Sequence, residues 1–145
     1  MSLLLLLNQP PYHKALLKTA NRLLEDHQPA VALIVAHMAC EIYAEQVMAQ
    51  AFKKRGAADL EDAVTDLLSS NNLANDRVRR LYTALTDDQI QDTPFWKDFK
   101  ESATLRNQAI HHGARISPEQ ARTSCEVAGK IVTHLDSVTK RLRES

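Results

Sequence analysis

Arg106, Asn107 and His111 fall within six positions, and they are the residues of this chain whose types and spacing suggest chemistry. An arginine keeps its charge at any ordinary pH and presents several N–H donors, so it can steady a phosphate oxygen as negative charge builds on it. A histidine titrates near neutrality and can pass a proton in either direction. With the Asn107 amide beside them, the two would make an acid/base pair suited to phosphate chemistry.

Their placement on a helix sharpens the question. A helix starting at Phe95, turned at about 100° per residue, puts Arg106 near the middle of an arc shared with Phe95, Phe99, Ser102, Ala103, Ala109 and Ile110. A guanidinium on an apolar face must meet a carboxylate, a backbone carbonyl or an anion from outside. Glu41, a carboxylate near the middle of the most apolar helix, is the natural partner. Two readings stand at this point: an Arg106–Glu41 pair that fixes helix register, or a ligand site. His111 lies five residues on, roughly 140° round a regular helix, so it approaches Arg106 only if the last turn is frayed. Its plainer role is a surface residue compensating the helix dipole, a reading that applies more strongly still to His112.

The elements that must carry these residues are all helical. Three glycines and five prolines in 145 residues leave few tight turns, and 44% hydrophobic with 25% charged residues is the balance of one soluble domain. An up-and-down helical bundle of four to five main helices, spanning 1–145 as a single domain, is the expected fold. After Pro10-Pro11 an amphipathic first helix carries Tyr12, Leu16, Ala20 and Leu23 on one face. From Ala30 to about Phe52 the chain is apolar nearly all round, which predicts a central helix whose exceptions are His37, Glu41 and Glu45. Lys53-Lys54-Arg55-Gly56 closes it with cations and a glycine. Shorter helical pieces are expected from Ala58 to Leu85. Thr93-Pro94 offers an N-cap and first-turn proline for the helix at Phe95, Gly113 a left-handed stop, and Ser117-Pro118-Glu119-Gln120 a capping box opening the last helix. On that helix Ala121, Cys125, Ala128, Val132, Leu135, Val138 and Leu142 form one stripe.

Other features set limits. Cys40 and Cys125 lie far apart and read as buried small hydrophobes. Leu3 to Leu7 is too short to span a membrane and lacks the basic leader of a secretory signal, so residues 1–10 are expected to pack on the core or on a partner, with the protein in the cytoplasm. Eighteen basic residues against eighteen acidic ones exclude wrapping of nucleic acid by bulk charge, and any such site must be local. The run Arg77-Val78-Arg79-Arg80 reads as a solvated helix face.

The string Leu105-Arg106-Asn107-Gln108-Ala109-Ile110-His111-His112-Gly113, followed by Ile116-Ser117-Pro118-Glu119, resembles the signature of the HEPN superfamily of small helical domains. The order of elements extends the resemblance: an amphipathic first helix, a buried second helix carrying a glutamate, and a final helix after the motif. Residues 53–92 add little to it. The resemblance implies a metal-independent, cofactor-free endoribonuclease of a toxin or defence type that dimerises so that two motifs face one cleft. It also implies roles: Arg106 on the scissile phosphate, His111 in proton transfer with the ribose 2′-hydroxyl or the leaving oxygen, Asn107 orienting one of them, and Glu41 supporting Arg106. Lys100, His112 and Arg115 would add contacts to RNA. Because the attacking hydroxyl belongs to the substrate, no metal is required.

Three alternatives stand beside it. A HEPN-like accessory module would keep the fold and dimer and serve a partner such as a nucleotidyltransferase or an antitoxin. A metal site would join His37 and Glu41, one helical turn apart, with His13 or His134, against the plainer reading of a core histidine bonded to Glu41. A plain helical scaffold would dock a partner on the leucine-rich start.

Overall fold

The computed structural model describes residues 11–145; the leucine-rich stretch Leu3 to Leu7 lies outside them. Six α-helices follow in order: α1 (Tyr12–Glu25), α2 (Pro29–Lys54), α3 (Glu61–Leu68), α4 (Asp76–Thr86), α5 (Trp96–His112) and α6 (Pro118–Glu144), with 3-10 turns at Ala58–Leu60 and Ile90–Asp92. Among the described residues there is no strand. The all-α class expected from composition is therefore observed.

Four of these helices make the up-and-down frame. Cys125 reaches the Ala32 carbonyl, Cys40 the Ala128 carbonyl and Tyr43 the Asp136 carboxylate, so α2 and α6 run parallel, side by side. The stack of His13 on Tyr43 at one end and the packing of Leu24 with Leu33 at the other make α1 antiparallel to both. α5 is antiparallel to α6, since Phe95 meets His134 while Leu105 and Gln108 sit beside Ser117 and Gln120. α3 and α4 lie outside this frame.

α2 carries small or apolar residues on nearly every side, and twelve of its residues are buried. It is long and apolar enough to cross a membrane, yet the α1, α5 and α6 side chains against it supply the apolar surroundings that such a sequence demands. Both cysteines are buried in this core as expected, with burial pushing the Cys125 thiol up to about 11 and the Cys40 thiol further.

The helix ends follow local chemistry. Pro29 opens α2, and Gly56 and Gly113 adopt left-handed φ of 70° and 61° after α2 and α5. Ser117 Oγ accepts from the Gln120 N–H at 3.0 Å while Gln120 Oε1 accepts from the Ser117 N–H at 2.9 Å, a closed capping box at the start of α6. At the far end of the bundle, cations from neighbouring helices satisfy terminal carbonyls: Lys54 donates to Leu142, Arg55 to Leu85 and Arg141 to Thr86.

Thr93 departs from expectation. Its hydroxyl donates back to the Ile90 carbonyl at 2.7 Å, Phe95 occupies the N-cap without a side-chain bond, and α5 begins at Trp96. The 3-10 turn just before it claims the threonine first. The start of α4, by contrast, is capped by Asn75, whose Oδ1 accepts from the Arg77 and Val78 N–H groups.

Ser117→Ala opens the capping box, and an unfolding titration should place its stability about 1 kcal/mol below the parent. Leu135→Ala, at a fully buried core position, should lose roughly 2–5 kcal/mol in the same experiment.

Candidate functional site

The arginine that interrupts the apolar arc of α5 finds the carboxylate assigned to it. Arg106 Nη1 lies 3.2 Å from Glu41 Oε1, with both side chains about three-quarters buried. Helical side chains lean toward their own N-termini, and α5 and α2 run in opposite directions, so the two groups reach along their axes toward one another. Their alignment is that of an ion pair more than of a hydrogen bond, because Glu41 Oε1 and Arg106 Nε are both buried without a hydrogen-bonding partner among the described residues.

His37 forms the floor of this site. It is buried, lies flat against Phe99 with ring centroids 5.3 Å apart, and places Nε2 3.2 Å from Asn72 Oδ1 and 3.5 Å from Glu41 Oε1. Asn72 Oδ1 also accepts from the Ala74 N–H, so the oxygen faces the ring and Nε2 carries the proton that it accepts. Burial, then the Arg106 charge, pushes the imidazole down to about 4. His37 is thus neutral at pH 7, and its approach to Glu41 is not a charged pair. Burial raises the Glu41 carboxyl above its usual range, with the Arg106 guanidinium opposing the rise. His37 is a buried core histidine, but its hydrogen bond goes to Asn72 and not to Glu41 as expected, because the loop amide reaches Nε2 more closely than the carboxylate does.

The remaining motif residues lie on other faces. Asn107 is exposed, its Oδ1 3.5 Å from Arg106 Nη1. α5 stays regular through His112, with the Ala114 N–H folding back on the Gln108 carbonyl, so no frayed turn brings His111 round to Arg106. His111 and His112 are exposed in the last turn, about 7.5 and 9 Å along the axis from Arg106 and about 140° and 120° from it in opposite senses. Ile110, expected on the buried arc, is 46% exposed, while its neighbour Ala109 packs against Leu33, Ile116 and Ala121. Arg115 is exposed in the connection to α6. Lys100 is exposed and lies 3.8 Å from Asp76 at the start of α4, away from Arg106. Arg77 and Arg80 face solvent, and Arg79 contacts Thr83.

The proposed metal partners are elsewhere. His13 stacks on Tyr43, and His134 Nε2 donates to Asp88 Oδ2 at 2.8 Å, where Tyr82 also donates at 2.7 Å. Among the described residues no three histidine, cysteine or acidic side chains gather with metal-binding geometry. Asn72 is the site residue that the sequence reading missed. It sits in a polar stretch that looks like any loop, and only its tertiary contact with His37 distinguishes it. No family model, curated protein or solved structure matches the chain.

Because the folded-state pKa of His37 is depressed, the unfolded chain binds the extra proton between about pH 4 and 6.5. Stability should therefore fall as pH drops through that window, by on the order of 3 kcal/mol at most from this group. Equilibrium unfolding of the parent and His37→Gln across the window checks this, and a parallel pH slope for both would contradict it.

Proposed function

We propose that the protein is a metal-independent endoribonuclease of the HEPN kind, acting in the cytoplasm as a homodimer. The observation that carries this reading is the Arg106 guanidinium, held three-quarters buried against one carboxylate at 3.2 Å with about a fifth of the side chain still open to solvent. A positioned cation beside the Asn107 amide, on a helix that ends in an exposed His111, supplies the charge and the proton carrier that RNA transesterification needs.

In that reaction the ribose 2′-oxygen attacks phosphorus and the bond to the 5′-oxygen breaks. Arg106 stabilises the charge that develops on the phosphoryl oxygens, Asn107 orients it, and His111 takes the 2′-hydroxyl proton. A proton from water or from a second copy's histidine completes the departing 5′-hydroxyl, leaving a 2′,3′-cyclic phosphate. Because Arg106 and His111 of one chain point apart, the pair that acts on one phosphate comes from two copies related by a two-fold axis. Exposed Met38, three residues before Glu41, and exposed Ile110, four after Arg106, give the same helix faces apolar contact area for such a pairing. Two-fold symmetry would also bring the Arg106 guanidinium of two copies to one cleft, a concentration of charge that a chain of zero net charge requires to hold RNA.

The divergence of Arg106 and His111, with Glu41 already balancing the arginine, favours as a second reading an accessory module that keeps the fold and engages a partner protein without cutting RNA.

Incubation of the full chain with a mixed RNA pool in EDTA separates the two. The nuclease reading expects fragments ending in cyclic phosphate, with His111→Ala and Arg106→Ala each slowed by about a hundredfold or more. An inert parent protein across structurally varied RNAs would favour the accessory module.

A further inference from the structure

A second site lies on the opposite side of α2 from Glu41, where the start of α1 crosses the groove between α2 and α6. Tyr43, Gln46, Val47 and Gln50 share one face of α2, and Asp136, Thr139, Lys140 and Arg143 share one face of α6. Together with Pro11, His13 and Lys14 they line a cavity of about 420 Å³, a size that accepts a small ligand.

Its polar groups are prepared and unanswered. His13 is 3% exposed, stacked on Tyr43 at 3.8 Å between ring centroids, and neither of its ring nitrogens has a hydrogen-bonding partner among the described residues. Gln50 Oε1 is buried and unpartnered on the same wall. Buried donors and acceptors without partners are rare, and two in one cavity point to an occupant that supplies them. The Tyr43 hydroxyl, by contrast, is engaged, donating to Asp136 at 2.5 Å and lying 3.2 Å from Thr139 Oγ1, which holds the stacked pair in place.

The charges select the occupant. Lys14, Lys140 and Arg143 outnumber Asp136 and Glu144 around the rim, and Lys14 is 3.6 Å from Asp136, leaving the other two cations toward the opening. Burial lowers the His13 pKa, so at neutral pH the ring offers one N–H and one lone pair, and Gln50 offers a second acceptor. Hydroxyl groups, each donor and acceptor at once, answer all three when the ligand carries at least two of them.

We propose that this cavity binds a small organic anion carrying hydroxyl groups, with its charge on Lys140 and Arg143 and its hydroxyls on His13 and Gln50. Sugar phosphates and sugar acids share that chemistry. The site is independent of the Arg106 motif and of the ribonuclease reading.

Calorimetric titration of the full chain with ribose 5-phosphate and with gluconate tells the two sources apart, while ribose and inorganic phosphate each lack half of the required chemistry. At least one organic anion should bind about tenfold more tightly than either control. Its addition should move the ¹⁵N signals of the His13 ring. The surface double variant Lys140→Gln/Arg143→Gln should weaken binding about tenfold without altering the fold, and His13→Phe, which keeps the stack on Tyr43, should do the same. Failure of both organic anions to bind at millimolar concentration, or undiminished binding in the double variant, would overturn the proposal whatever the RNA assay returns.

Discussion

The enclosure of α2 governs the rest of the structure. A 26-residue helix with apolar side chains on nearly every side can be stable in water only when neighbours cover it all round, and α1, α5 and α6 are placed to do so. That demand sets the parallel run of α2 and α6, since two long helices packed along their length bury more than a short crossing contact would. It also decides how each polar residue of α2 must behave. His37 has to lose its charge, Glu41 has to find a cation, and Tyr43 has to bond across to α6. Each of these three adjustments is a consequence of burying the helix that carries them.

The Arg106–Glu41 pair is the most consequential of these. Partial burial places it between an exposed ion pair, which contributes about 0–1 kcal/mol, and a fully buried one, whose breaking costs about 3–5. Its geometry is loose and one guanidinium nitrogen is unanswered, so it does not extract the full stabilisation available to a bidentate pair. A structural pair optimised only for register would close both forks of the guanidinium. The unanswered Nε is itself buried, so the part of the guanidinium that stays open is the fifth of the side chain that solvent still reaches while Glu41 holds it on an apolar face. Neutral His37 below, locked by Asn72 and Phe99, limits where Glu41 can move and so steadies the arginine through it.

What could be read from the sequence was what local chemistry dictates. Gly113 needs a left-handed conformation wherever it stops a helix, and Ser117 with Gln120 forms its box from four consecutive residues. Arg106 was legible because it breaks a pattern, and Glu41 because one carboxylate stands at the centre of an apolar helix. Features set by tertiary contact were not legible. Thr93 has the type and position of an N-cap but bonds to the turn behind it, and Ile110 fits the apolar arc yet is exposed while Ala109 takes the packed position beside it. Asn72 and Gln50 are polar residues without a local signal, distinguished only by what stands opposite them after folding. The helix order on which the HEPN resemblance drew is common to many helical bundles, so only the all-α class was legible from it.

The geometry of α5 limits how an Arg–His pair can act. A regular helix holds residues five apart about 140° away from each other, and the last turn of α5 is regular. Unwinding it to bring His111 beside Arg106 would expose the Gln108 carbonyl that Gly113 and Ala114 N–H groups now share and would leave Gly113 without its stopping role. A second copy needs no such distortion. It can present its own His111 from outside while each chain keeps Arg106 on Glu41, and the exposed Met38 and Ile110 gain cover in the same step. A catalytic pair from one chain would require the fold to yield at its best-defined helix end, whereas a pair from two chains uses each residue where it already lies. On this physical ground, if the motif acts on RNA as proposed, an Arg106 and a His111 from two copies meet one phosphate with less distortion than a pair from one chain.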